Sequence, residues 1–281
     1  MIKAVFQYNF LQNAFLSAIL ASIVCGIIGT IIMERRLVMM SGGIAHTSFG
    51  GIGMGYFLNI EPIIGGLIFA VIASLSIVLI NKKTRTDSDV LIGMFWAVGM
   101  AMGILFIALT PGYPPDMTSY LFGDILTVSM AGLKLMVILD IIILFVVVSL
   151  FDYWKAFLFD EEFANVLGIK TMYLEYTMFV LIALTVVVLI KVVGIILVIA
   201  LLTIPPATAK LFVYDLKKIM IISIVLGGLF CLLGLVVSYQ FNIASGATII
   251  LLSAMGYFMA MAIKKVINNA GLSAKGNKTS C

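Results

Sequence analysis

The chain has 281 residues, of which 63% are hydrophobic and 11% carry a charge, and its formal net charge is +4. A water-soluble core cannot absorb that much apolar surface, so the composition excludes a soluble domain and indicates an integral membrane protein. The positive charge lies in loops and in the tail, where it reports on membrane topology rather than on nucleic-acid binding.

Nine apolar runs are candidate spans, given that a bilayer-crossing helix needs about 20 residues. They lie near residues 14–33, 38–59, 62–80, 90–109, 130–150, 176–190, 192–207, 219–239 and 243–263. The seventh run is short and ends at prolines, which is typical of a re-entrant or broken helix. Because the N-terminus lacks a basic start and a small-residue cleavage site, we expect the first span to be retained. The sequence therefore predicts an all-α polytopic transmembrane helix bundle of about eight to nine spans over residues 1–265, followed by a polar tail over 266–281.

Basic residues orient these spans. They follow the first, third and seventh runs and fill the tail: Arg35, Arg36, Lys82, Lys83, Arg85, Lys210, Lys217, Lys218, Lys264, Lys265, Lys275 and Lys278. With nine spans, all of them fall on one side of the membrane, whereas the loop 110–129 on the other side has no Lys or Arg. The positive-inside rule makes the basic side cytoplasmic, so we expect the C-terminus and the tail inside the cell.

Two segments on the predicted cytoplasmic side are too polar to be spans. Residues 152–176 read as a short amphipathic helix that ends at Gly168. In the second segment, 204–212, Pro205 and Pro206 are expected to stop the preceding run, with a short helix beginning after them. These segments are either plain connectors or docking elements for a cytoplasmic partner.

His46 is the single histidine of the chain and lies inside the second apolar run. An ionisable side chain is expensive to hold at membrane depth, and imidazole is a common ligand of transition metals. Helical spacing places Gly42 and Gly50 on the face of His46, where they let another helix or a cargo approach closely. Nearby hydroxyls come from Ser41, Thr47 and Ser48. The alternative is a histidine that only packs; in a homodimer, a second His46 across the axis would complete a metal site.

Two carboxylates are further candidates for contact with a cation. Asp124 lies near the predicted outer mouth, where it would attract a cation, unless it is a solvated loop residue or a helix cap. Asp140 lies within the fifth apolar run. Three roles are open to it: its side chain snorkels to the membrane surface, pairs with Lys134 or lines a polar path through the bundle. The tail segment 271–279 almost spells a phosphate-binding loop, but Asn277 breaks the Gly-Lys pair, so any ATP would be hydrolysed by another subunit.

Five segments in this order resemble the permease subunits of zinc, manganese and iron ABC importers, over about Glu34 to Lys265. They are residues 35–46, which contain His46, and residues 88–93, 120–126, 159–168 and 193–209. His46 matches the family's intramembrane metal ligand. The family carries an aspartate four residues earlier, where this chain has Gly42, so the usual carboxylate–imidazole pair is incomplete and another carboxylate such as Asp140 would have to substitute.

The resemblance implies a type II ABC-importer-like permease without enzymatic activity or a permanent cofactor. Its implied partners are a second copy in a homodimer, a cytoplasmic ATPase and an extracytoplasmic metal-binding protein. The residues implied for the translocation gate are Ser41, Gly42, Gly43 and Thr47. The residues implied for coupling to the ATPase are Glu162, Gly168, Pro205, Pro206 and Thr208.

The sequence therefore predicts import of a divalent transition metal across the cell membrane. Asp124 stands where manganese-type members of the family often carry serine, so the resemblance favours zinc over manganese or iron. One alternative is a permease for a metal chelate such as a siderophore or cobalamin, although the glycine-rich second run favours a small cargo. The other alternative is a secondary cation transporter independent of ATP, which would show inverted repeats and several intramembrane carboxylates.

Overall fold

The computed structural model of the chain describes residues 8–111, 123 and 125–276, with residues 270–276 described by their backbone alone. Within these ranges the fold is all-α. The helices are α1 (Asn9–Glu34), α2 (Val38–Phe57), α3 (Pro62–Thr84), α4 (Ser88–Leu109), α5 (Met130–Ser149), α6 (Phe151–Phe159), α7 (Glu161–Val166), α8 (Thr171–Val193), α9 (Ile195–Lys210), α10 (Leu216–Phe241) and α11 (Ser245–Gly276), with a short 3-10 turn at Ile125–Thr127. The backbone of α11 continues through much of the predicted polar tail.

Seven of the described helices are long and apolar enough to cross a membrane, by length and composition: α1, α3, α4, α5, α8, α10 and α11. The helix α2 has 20 residues, but its glycines, hydroxyls and His46 make it less apolar. The helix α9 has only 16 residues. Each predicted apolar run coincides with one of these nine helices, which confirms a multi-pass membrane protein.

Ion pairs show which helix ends share a side of the bundle. On the side predicted to be cytoplasmic, the pairs are Arg35 with Glu161 (2.7 Å), Lys82 with Glu175 (2.5 Å) and Lys210 with Glu34 (2.9 Å). On the opposite side, Lys191 pairs with Glu61 at 2.9 Å. These four ion pairs agree with the predicted sides for the ends of α1, α3, α8 and α9.

Glycine contacts hold α2 between α3 and α4. A Cβ added at Gly51 would overlap the carbonyl oxygen of Gly65 on α3. A Cβ added at Gly50 would lie 2.8 Å from the carbonyl oxygen of Gly99 on α4, and one added at Gly53 would lie 2.5 Å from that of Gly103. Small residues let membrane helices meet backbone to backbone, and here they bury a helix that carries several glycines, hydroxyls and His46.

The predicted helix stop at Pro205 and Pro206 is wrong, because α9 runs through both prolines to Lys210. Each proline removes a backbone N–H donor, and Pro206 leaves the carbonyl of Leu202 without its usual helical partner. That carbonyl lies against Gly29 of α1, where a Cβ would overlap it. Close packing of α9 on α1 therefore supports the helix where its own hydrogen bonds are lost.

The short amphipathic element predicted within 152–176 forms as two helices, α6 and α7. Asp160 begins α7, since its side chain accepts a hydrogen bond from the backbone N–H of Phe163 at 2.9 Å. Gly168 follows the end of α7 with φ of 79°, a left-handed conformation that glycine adopts without strain.

We expect Gly51→Ala to lower the free energy of unfolding by about 1–3 kcal/mol, the usual cost of overpacking a tight contact. The measurement is thermal unfolding of the detergent-solubilised protein. Gly93→Ala is the matched control, because a Cβ at Gly93 meets nothing within 4 Å. Equal transition temperatures for the two variants would contradict the close approach of α2 and α3.

Candidate functional site

His46 is held in a half-buried position on α2, against α4. Its imidazole stacks on the indole of Trp96, with ring centroids 4.2 Å apart and planes inclined by 6°. The Nδ1 atom of His46 is buried and has no hydrogen-bond partner among the residues that the structure describes. A buried polar atom without a partner is costly, which makes this nitrogen a candidate ligand atom.

Gly42 lies one turn before His46 and borders the same stacked pair. A Cβ added there would lie 3.8 Å from Cζ3 of Trp96 and 3.6 Å from Cδ1 of Ile199 on α9, which are ordinary van der Waals distances. Gly42 is thus bordered by side chains of α4 and α9. A small side chain at position 42 would fit there without backbone overlap.

The hydroxyls of Ser41, Thr47 and Ser48 on α2 are engaged as hydrogen-bond donors. Each bonds to a carbonyl oxygen of its own helix: Ser41 to Val38 (2.9 Å), Thr47 to Gly43 (2.7 Å) and Ser48 to Ala45 (2.6 Å). Gly43 and Thr47 also face α4, where Ile92 and Gly99 lie in close contact with them. Of the predicted gate residues Ser41, Gly42, Gly43 and Thr47, the structure therefore places Gly42 directly against the His46–Trp96 pair.

Asp140 is buried on α5, with 4% of its surface exposed, and within the described part of the chain neither carboxylate oxygen has a hydrogen-bond partner. It does not snorkel, and it is not paired with Lys134, which is exposed. The helix α5 packs mainly against α1 and α8, whereas His46 stacks on α4, so Asp140 and His46 lie in different parts of the bundle.

Among the described residues, no group of three His, Cys, Asp or Glu side chains could hold a metal ion. Asp124 lies outside the described residues.

The residues predicted to couple to an ATPase divide into two groups. Glu162 and Gly168 are exposed, together with the apolar side chains of Phe163, Val166 and Leu167. By contrast, Pro205, Pro206 and Thr208 are buried in α9. Only the segment around α7 thus offers these predicted residues to a partner surface, and its coupling role stays a prediction.

Sequence reasoning missed Trp96 and the ion pairs of the basic side. Trp96 is one aromatic residue in an apolar run, with no local signal that it meets His46. Arg35 was read only as a topology marker, yet its guanidinium pairs with Glu161 and lies 4.3 Å from the ring centroid of Phe157. It thereby ties α6 and α7 to the end of α1.

Apolar helices surround a buried glycine-rich helix, which carries an imidazole whose Nδ1 lacks a hydrogen bond within the described residues. This arrangement is that of a multi-pass transport protein of the cell membrane. The chain belongs to the ABC 3 transport family, whose sequence model matches residues 7–264. The resemblance to metal-uptake ABC permeases is thereby confirmed.

Similar proteins cover almost the whole chain. An uncharacterised membrane protein of Synechocystis is 43% identical over 259 residues, which is 92% of each chain. The manganese transport system membrane protein MntC of Listeria monocytogenes is 32% identical, again over 92% of each chain. The solved structure of PsaBC from Streptococcus pneumoniae in complex with Fab matches with a TM-score of 0.83 and 30% identity, covering 92% of this chain and 93% of that one.

We expect Arg35→Glu to loosen the segment of α6 and α7, because it removes both the ion pair with Glu161 and the contact with the ring of Phe157. A partly exposed ion pair contributes only about 1 kcal/mol, so the effect is local. The measurement is the rate of limited proteolysis within residues 151–170. The double variant Arg35→Glu/Glu161→Arg should restore much of the protection, and an unchanged rate in the single variant would show that the ion pair does not hold the segment.

Proposed function

We propose that the chain is the permease subunit of an ATP-driven ABC importer that carries a divalent transition metal ion into the cell. The observation that carries the proposal is His46, an imidazole with a free buried nitrogen on the glycine-rich central helix α2. Family membership supports import driven by ABC-type subunits. The relatives from Listeria monocytogenes and Streptococcus gordonii are named for manganese transport, which supports a metal cargo.

The cargo passes His46 as a transient ligand. A metal-binding protein delivers the ion at the outer mouth near Asp124, and the ion then moves along the space beside Gly42 and Trp96. In a homodimer, the second copy of α2 brings a second imidazole to the axis. Few ligands mean weak binding, and a transport site must release its ion as readily as it binds it.

ATP is hydrolysed by a separate cytoplasmic subunit that docks on the segment of α6 and α7. Its exposed apolar residues and Glu162 form the contact, and Arg35 transmits displacement of this segment to α1. The helix α9 packs on α1 and its end is joined to it by the pair of Lys210 with Glu34. Because Pro205 and Pro206 remove two hydrogen bonds, α9 is the helix that bends most easily during the change of access.

A bare ion fits this site better than a metal chelate. Beside His46, Gly50 and Gly53 of α2 lie against the backbone of α4, and Gly51 lies against that of α3, so a large cargo would have to separate these helices. A secondary transporter is also less favoured, because Asp140 is the only buried acidic residue within residues 8–111, 123 and 125–269.

We expect His46→Ala to reduce metal uptake at limiting metal by at least about tenfold, the scale of loss when a metal ligand is disturbed. The measurement is uptake of radioactive zinc and manganese by cells that express the whole importer. Ser48→Ala is the control, because that hydroxyl bonds only to its own helix. If His46→Ala took up metal as well as the Ser48→Ala control, His46 would not be a ligand of the transported metal.

We expect the tagged chain to co-purify from its native membrane with an ABC ATPase subunit, identified by mass spectrometry. Charge reversal at Glu162 should weaken the association, because Glu162 lies on the exposed docking segment. Charge reversal at Asp89, an exposed acidic residue elsewhere, serves as the control. Repeated recovery of the chain alone, under conditions that preserve ABC importer complexes, would favour the secondary transporter.

A further inference from the structure

We propose that Trp96 positions His46 for metal binding and that the resulting site takes zinc in preference to manganese. This step rests on the proposed metal import and adds to it a positioning residue and a choice of cargo. It distinguishes this chain from its relatives named for manganese transport.

The stack replaces the hydrogen bond that usually orients a metal-binding histidine. Such a histidine normally donates its second ring N–H to a carboxylate, a carbonyl or water, which fixes the ring plane. Among the described residues, neither ring nitrogen of His46 makes such a hydrogen bond, so none holds the ring while Nδ1 binds the metal. Its ring instead lies parallel to the indole of Trp96 at 4.2 Å, so rotation of the imidazole about its Cβ–Cγ bond would push it into the indole.

Trp96 can perform this role because α4 cannot shift along α2. A Cβ at Gly99 would lie 2.5 Å from Cα of Thr47, and one at Gly103 would lie 2.8 Å from the carbonyl oxygen of Phe49. These contacts lock the two helices on the same stretch that holds His46 and Trp96. The indole is therefore a rigid support and not a mobile cover.

The ligand atoms near His46 disfavour manganese. Carboxylate, carbonyl and water oxygens suit manganese, whereas imidazole suits zinc, and manganese binds most weakly of the first-row divalent ions. One turn from His46 the chain has Gly42, and the indole and Ile199 bound the space there with apolar atoms. The hydroxyls of Ser41, Thr47 and Ser48 donate their hydrogen bonds to carbonyl oxygens of α2 itself. A second copy of α2 would contribute another imidazole and no carboxylate.

Substitution of Trp96 tests the positioning role. We expect Trp96→Phe, which keeps an aromatic plane, to retain zinc uptake at limiting metal, and Trp96→Leu to lose it several-fold. Phe95→Leu is the control, because Phe95 is on the same helix but outside the stack. Amounts of folded protein are measured for each variant. If Trp96→Leu transports like the parent while His46→Ala does not, the positioning role is wrong and the proposed function stands; if both transport normally, the proposed function itself fails.

Fluorescence tests binding without transport. The chain has two tryptophans, so Trp154→Phe leaves Trp96, which contacts His46, as the only source of tryptophan fluorescence. We expect zinc to change this emission at concentrations where manganese does not, and the change to disappear in His46→Ala. This readout also covers the case in which Trp96→Leu fails to fold. An equal or stronger response to manganese would overturn the cargo preference.

Substitution of Gly42 tests the choice of metal directly. We expect Gly42→Asp to shift the ratio of manganese to zinc uptake several-fold toward manganese, because it places a carboxylate one turn from the imidazole. Gly42→Asn is the control, since it has nearly the same shape without the charge. A parent protein that prefers manganese, or equal ratios in Gly42→Asp and Gly42→Asn, would contradict the inferred basis of selectivity.

Discussion

The structure depends on the backbone-to-backbone contact of α2 with α3 and α4. Gly51 against Gly65, and Gly50 and Gly53 against Gly99 and Gly103, leave no room for side chains between these helices. This contact holds a helix that carries hydroxyls and His46 inside the bundle. It also fixes the register of α2 and α4, and therefore the meeting of His46 with Trp96.

The same contact gives α2 two distinct faces. One face is closed by glycines and by hydroxyls that bond to their own helix, and it serves packing. The other face bears Gly42 and His46 toward Trp96 of α4 and Ile199 of α9. On the basic side, ion pairs connect α1 with α7 and with α9, so the exposed segment around α7 and the proline-containing helix share one neighbour.

Much of the fold could be predicted from the sequence, because the cost of exposing polar backbone to lipid makes long apolar runs into helices. The positions of the nine runs and the shared side of the basic residues follow from composition alone. Motif order identified the family. The site was predicted only in part: His46 was found as the single intramembrane histidine, but its stacking partner Trp96 was not.

Tertiary structure decided which face of each helix points inward. Most spans are apolar on all sides, so hydrophobic periodicity cannot reveal their orientation, unlike in a soluble protein. For that reason Trp96 as the partner of His46, the isolation of Asp140 and the continuity of α9 across Pro205 and Pro206 emerged only from contacts between helices. The sequence by itself determined which segments are helices in the membrane, because that depends on local hydrophobicity. The packing determined the chemistry of the site, because that depends on residues far apart in the chain.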